Sequence, residues 1–195
     1  MRETRLFNDN WKFIKIEPGT TGYENSDSWV NVDIPHDWLI YDTNNLYEDS
    51  EGWYRKTFDL QTETGVRYAL RFDGVYMEPV IYVNGAKAGE WKYGYNTFEI
   101  DITDYLVNGA NEIRVQVMHR SPNSRWYSGA GIFRNIWFKT MPDTHFVSDG
   151  IYIRTERTDT GYMLKASSEI SGSEFDAVAY TVFDMNGTAV VSKTT

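Results

Sequence analysis

The chain has 195 residues, 41% hydrophobic and 24% charged, which is room for one domain with a good core and a second, smaller piece. Its 19 basic and 28 acidic residues give a formal charge of −9, which removes the attraction on which nucleic-acid binding rests, and no nucleic-acid partner is expected. Zero cysteine excludes disulfides, thiol catalysis and thiolate metal sites, and no apolar run approaches the roughly 20 residues of a membrane helix, so no membrane partner is expected.

The chain opens with Met1-Arg2-Glu3-Thr4-Arg5-Leu6-Phe7-Asn8, polar and leading into strand-like sequence without the apolar stretch of a secretory signal. A cytoplasmic address is the expectation, with a secreted or periplasmic one if a leader was trimmed. Next comes Ile34-Pro35-His36-Asp37-Trp38, where proline fixes a turn and places an ionisable pair beside a large indole. The plainer reading is a strand-ending turn with Trp38 as a core plug. Asp37 nevertheless has the chemistry to accept hydrogen bonds from sugar hydroxyls. The loop from Leu39 to Gly52 carries Asp42, Glu48, Asp49 and Glu51. It lacks the ordered spacing of a calcium loop and reads as a solvated acidic loop.

Beyond it, apolar residues alternate with period two. Tyr68, Leu70 and Phe72 alternate with Arg67, Ala69 and Arg71; Phe98, Ile100 and Ile102 with Thr97, Glu99 and Asp101; Ile113, Val115 and Val117 with Arg114, Gln116 and Met118. This is the pattern of antiparallel strands with one wet face. Turn signals at Asp73-Gly74, Asn84-Gly85 and Asn108-Gly109 separate them, and Asn84-Gly85 predicts a tight hairpin. Thr103 to Val107 is the one candidate helical turn. Strands at this spacing without interleaved helices predict an all-β sandwich or jelly roll. The aromatic content of 16% fits a β core rich in large rings better than an extended sugar-stacking surface.

Between Arg125 and Asn135 an aromatic, glycine-spaced loop, Arg125-Trp126-Tyr127-Ser128-Gly129-Ala130-Gly131, runs into Ile132-Phe133-Arg134-Asn135. The glycines let the backbone take conformations that side chains forbid, so the reading is an exposed tip with a sheet entered from Ile132 onward. Trp126 and Tyr127 can stack on a pyranose with Arg125 donating to hydroxyls, or both rings can pack under the loop. Arg134 is expected to tie down a carboxylate or carbonyls.

Met141-Pro142-Asp143-Thr144 breaks the strand pattern and divides the chain into residues 1–143 and 144–195. Beyond it, Gly150 to Thr155, Tyr162 to Ser168, Ala177 to Asp184 and Thr188 to Val191 read as strands. An immunoglobulin-like sandwich needs about seven, so the second domain is expected to be truncated and the chain to be a fragment of a longer protein.

Hydrolysis of sugars wants two carboxyl groups about 5 to 5.5 Å apart for retention, or wider for inversion, and the acidic residues offer no convincing pair. Asn111-Glu112 opens a strand and reads as structural. His36, His119 and His145 are scattered, without the spacing of a triad or metal site.

Seven segments, in order, resemble the N-terminal domain of glycoside hydrolase family 2, the family of bacterial β-galactosidases, β-glucuronidases and β-mannosidases. They are Phe7 to Phe13, Ile34 to Trp38, Gly52-Trp53-Tyr54-Arg55-Lys56-Thr57-Phe58, Phe72-Asp73-Gly74-Val75, Val83-Asn84-Gly85, Asn96 to Thr103 and Tyr127 to Arg134, covering most of residues 5 to 140. The resemblance implies a jelly-roll, galactose-binding-like sandwich, then an immunoglobulin-like sandwich, then a (β/α)₈ barrel that carries both catalytic glutamates of a retaining hydrolase. A barrel takes about 250 residues, so no catalytic residue is expected in this chain. Its implied partners are a β-linked sugar and its own C-terminal barrel, with a homo-oligomer as a further possibility.

Asp37 matches the Asn or Asp of the family's Pro-x-(Asn/Asp)-Trp turn, which approaches the bound sugar. In the large sodium-dependent β-galactosidases the second loop supplies an aspartate near the sugar's 6-hydroxyl and the metal, whereas the nearest matching position here is Arg125. The resemblance therefore allows a monovalent or divalent cation in the longer enzyme and assigns no metal or cofactor to this chain. The Tyr127 to Arg134 form resembles the galactosidase branch. The expected function is the N-terminal portion of a retaining exo-β-glycosidase acting on β-galactosides, with Asp37, Arg125, Trp126 and Tyr127 as substrate-binding candidates. The alternatives are a stand-alone carbohydrate-binding module and a structural spacer that mediates oligomer contacts.

Overall fold

The period-two alternation becomes two antiparallel sheets around one core in a computed structural model that describes residues 2–172 and 175–195. One compact unit ends at Pro142 and a second runs from Asp143 to Thr195. In the first, a four-stranded sheet has the order β1 (Glu3–Leu6), β10 (Ile136–Pro142), β5 (Val66–Phe72), β8 (Phe98–Asp101). A six-stranded sheet has the order β3 (Val30–Val32), β2 (Trp11–Ile16), β4 (Ser50–Leu60), β9 (Gly109–His119), β6 (Val80–Val83), β7 (Ala86–Glu90). The fold is all-β, as the sequence predicts.

The core lies between the sheets. Ile113, Val115 and Val117 of β9 exclude solvent completely, as do Leu70 and Phe72 of β5 and Tyr54 of β4. Phe7, Phe58 and Phe138 meet at centroid distances of 5.3 to 5.7 Å and tie the sheets together near one end. Trp11, Tyr54, Phe72 and Phe138 are among the largest fully buried side chains here, and burial of apolar area is the dominant stabilising term in such a core. Asn84 (φ 50°) and Gly85 (φ 84°) both take the left-handed region in the two-residue turn between β6 and β7, the geometry an Asn-Gly hairpin requires. Asn111 is buried, and its amide bonds Val107 on both N–H and carbonyl (2.9 and 2.8 Å), the structural role its position predicts.

The second unit consists of two hairpins, β11 (His145–Thr158) with β12 (Gly161–Ser171), and β13 (Ala179–Phe183) with β14 (Ala189–Thr194).

Two boundaries differ from the sequence reading. Glu51 is not in a solvated loop: it sits buried at the start of β4, where Trp53 Nε1 (2.6 Å), Gln116 Nε2 (2.7 Å) and the Gly19 N–H (3.2 Å) donate to its carboxylate. The strand expected from Ile132 begins at Ile136, because the Ile132 carbonyl is taken by the His36 N–H (2.8 Å) and its N–H points at Tyr54 Oη (3.4 Å).

Candidate functional site

The turn at residues 34–38 lies between two other segments. Ile34 N–H donates to the Asn8 carbonyl (2.9 Å), His36 N–H to Ile132 and Trp38 N–H to Ala130 (3.0 Å). Trp38 is buried, stacks on Phe13 (5.5 Å, 24°) and donates to Ser50 Oγ (3.0 Å). The indole beside the ionisable pair is thus the core plug, and it fixes where Asp37 points.

Asp37 fastens this turn to the aromatic loop. Its Oδ1 accepts from the Leu39 N–H (3.1 Å) and from the Tyr127 hydroxyl, and its Oδ2 accepts from the Ala130 N–H (3.1 Å). A carboxylate holding three donors is oriented strongly, since hydrogen bonds to a charged group are the stronger kind. Burial, and then the bond to Asp37, push the Tyr127 phenol far above its usual range, so it donates at any physiological pH. On the other side Gly131 exchanges two backbone bonds with Tyr76 (2.9 and 3.0 Å). The loop is therefore held from both flanks rather than hanging free.

The two rings of the loop have different environments. Trp126 is 79% exposed, whereas Tyr127 is half-buried and packs on the core. One ring is presented and the other anchors it. Arg125 is exposed and Arg134 binds two carbonyls, those of Asp73 and Tyr95 (both 3.4 Å).

A third segment, Trp91 to Tyr95, completes the site. Tyr93 and Tyr95 are 57% and 39% exposed, with centroids 5.9 Å apart, and Tyr95 packs against Tyr76 (5.3 Å) and Phe133 (5.6 Å). The Tyr95 hydroxyl donates to the Ser128 carbonyl (2.6 Å), locking this segment to the aromatic loop. Tyr93, Tyr95, Trp126 and Tyr127 then line an open cleft of about 480 Å³. Arg125 and Asp37 are not among the lining residues; Asp37 acts on the cleft through Tyr127. Tyr93 and Tyr95 enter as candidates only through the fold, although Lys92-Tyr93-Gly94-Tyr95 is, like the loop from Arg125, a glycine-spaced aromatic segment.

Behind the clasp, Tyr54 Oη lies 2.8 Å from His36 Nδ1, with its phenol kept protonated by burial. Burial lowers the His36 pKa, with the Asp37 charge opposing. An unfolded His36, at about 6.5, takes up a proton that the folded one refuses. Its contribution to stability is complete above that value and is lost as pH falls from there through the lowered folded value. Thermal unfolding at several pH values checks this: His36→Gln should reduce the fall in Tm on acidification, and an unchanged fall would contradict it. Among the described residues no group of three or more His, Asp or Glu converges in a way that could hold a metal.

Known proteins resemble this chain in sequence and fold. The family described as glycosyl hydrolases family 2, sugar binding domain, matches residues 11–142. The β-galactosidase BoGH2A of Bacteroides ovatus is 36% identical over 174 residues, covering 81% of this chain and 20% of its own length. A putative β-glucuronidase of Formosa agariphila is 32% identical over 191 residues, covering 90% of this chain and 18% of its own. A crystal structure of a β-glycosidase from Bacteroides vulgatus superposes with a TM-score of 0.81 at 29% identity, covering 98% of this chain and 27% of that one. The chain thus spans about a fifth of the length of these curated relatives. It belongs to glycoside hydrolase family 2, matching that family's sugar-binding domain from residue 11 to residue 142.

Proposed function

We propose that this chain is the sugar-facing, non-catalytic N-terminal portion of a retaining exo-β-glycosidase that hydrolyses O-linked β-galactosides. Its two catalytic carboxylates would lie on a barrel carried elsewhere in the longer protein. The observation that carries this reading is the cleft itself: two exposed rings, Trp126 and Tyr93, on loops bolted together by Asp37–Tyr127 and Tyr95–Ser128. Aromatic faces match the C–H faces of a pyranose, and their rigidity means little ordering entropy is lost when sugar binds. In this role Asp37 positions the wall, Trp126 and Tyr93 contact sugar, and the loops exclude water from one side of the bound ring. Galactoside is favoured over glucuronide by the 36% identity to a β-galactosidase and by the form of the loop from Tyr127 to Arg134.

Steady-state kinetics of the longer protein test this. Trp126→Ala should raise KM for p-nitrophenyl β-galactoside about tenfold, or ~1.4 kcal/mol, with kcat and Tm nearly unchanged. An unchanged KM, a higher kcat/KM for the β-glucuronide, or a reading frame that ends at Thr195 would overturn the proposal.

A further inference from the structure

The sequence contains three Asn-Gly pairs, Asn84-Gly85, Asn108-Gly109 and Asn186-Gly187. In such a pair the glycine nitrogen can attack the asparagine side-chain amide carbon and close a succinimide ring, because no Cβ on the glycine crowds the approach. All three asparagines are exposed, and no atom lies within 4 Å of the place a Cβ would take on Gly85, Gly109 or Gly187. Room does not separate the three pairs; hydrogen bonding does.

Asn84 Nδ2 donates to the Tyr105 carbonyl and to Asn111 Oδ1 (both 2.8 Å), and its Oδ1 accepts from the Glu112 N–H (2.9 Å). Asn108 Oδ1 accepts from both the N–H and the hydroxyl of Thr62 (both 2.8 Å). Ring closure has to pull each amide away from these partners. Among the described residues the Asn186 side chain makes no hydrogen bond. Its turn is held by Asp184 instead: Oδ1 accepts from the Asn186 and Thr188 N–H groups (both 2.8 Å), and the Asp184 carbonyl accepts from the Gly187 N–H (3.1 Å). Only that last bond involves an atom of the reaction. The surroundings differ in the same sense. The partners of Asn84 and Asn108 lie 21 to 46 positions away and tie both turns to other parts of the first unit. Asn186 joins β13 to β14, a two-stranded sheet, and a lone hairpin is marginally stable and opens locally.

We infer that Asn186 is a site of spontaneous covalent modification, at which the side-chain amide becomes a carboxylate while Asn84 and Asn108 remain amides. The Gly187 N–H gives its proton to solvent and its nitrogen bonds to Asn186 Cγ. The Cγ–Nδ2 bond then breaks, and Nδ2 leaves as ammonia, taking a proton back. Water opens the succinimide: addition at Cγ leaves aspartate, and addition at the Asn186 backbone carbonyl leaves isoaspartate, with an extra methylene in the main chain of the turn. Overall an amide and a water give a carboxyl group and ammonia, with no change of oxidation state. Either product adds a negative charge next to the Asp184 carboxylate that holds the turn. The inference does not rest on the proposed glycosidase function.

The test is incubation of the folded 195-residue chain in mildly alkaline buffer, with peptide mapping by mass spectrometry at intervals. Asn186 should convert about tenfold faster than Asn84 and several-fold faster than Asn108, following the number of bonds each closure breaks. In the urea-unfolded chain the three rates should draw together. Asn186→Gln, whose longer side chain closes its ring far more slowly, should remove the acidic species that accumulates on ion-exchange chromatography. A rate at Asn186 no higher than at the other two pairs in the folded chain would overturn the inference. So would a spread of rates that urea leaves unchanged, or an acidic species that forms as fast in Asn186→Gln.

Discussion

Gly131→Ala should destabilise the first unit by about 4 kcal/mol, a large share of a typical stability of about 5 to 15 kcal/mol. Gly131 has φ +135°, and a Cβ there would stand 2.5 Å from the His36 carbonyl oxygen, 2.5 Å from Tyr54 Oη and 3.3 Å from the Trp38 ring. None of these can give way. The His36 carbonyl is backbone in the turn at residues 34–38, Tyr54 is fully buried, and Trp38 is wedged against Phe13. Backbone strain adds about 1–3 kcal/mol, and overpacking a rigid site about 1–3 more. Urea denaturation followed by tryptophan fluorescence checks this, and a loss below about 1 kcal/mol would show that the turn and the loop do not meet at Gly131 as described.

Asp37→Ala should cost about 3 kcal/mol. Three donors lose their acceptor at once, each bond to a charged group contributing about 1.5–3 kcal/mol before allowance for the partial exposure of the site. Solvent can replace the Leu39 and Ala130 partners in part, so the sum falls well short of three full bonds. The Tyr127 hydroxyl fares worst, because its ring is half-buried against the core. Asp37→Asn should recover about half of the loss: its carbonyl oxygen can still accept from Tyr127 and Leu39, while its NH₂ faces the Ala130 N–H, donor against donor. Equal stabilities for the Ala and Asn variants would contradict the clasp. Loss of sugar affinity in Asp37→Asn with stability intact would give Asp37 the direct sugar contact that the family resemblance implies.

The strands were legible because their burial is local. Ile113, Val115 and Val117 announce an inward face by alternation alone, and Asn84-Gly85 announces its turn by the φ values both residues tolerate. The site was only half legible. The glycines around Ala130 gave away an unusual loop, but not that Tyr127 would anchor to a carboxylate 90 residues earlier. Glu51 looked like one more charge in an acidic loop because its partner Gln116 lies 65 residues away. Tyr93 and Tyr95 were present as a pattern, yet what makes them a wall is their packing on Tyr76 and Phe133, which no local window contains.

The central claim, that this chain shapes a sugar site and leaves the chemistry to another domain, is tested most directly by assaying the purified 195-residue chain and the longer protein side by side on p-nitrophenyl β-galactoside. The account predicts turnover by the longer protein and no hydrolysis above buffer by the chain alone; hydrolysis by the chain alone at enzyme-like rates would contradict it.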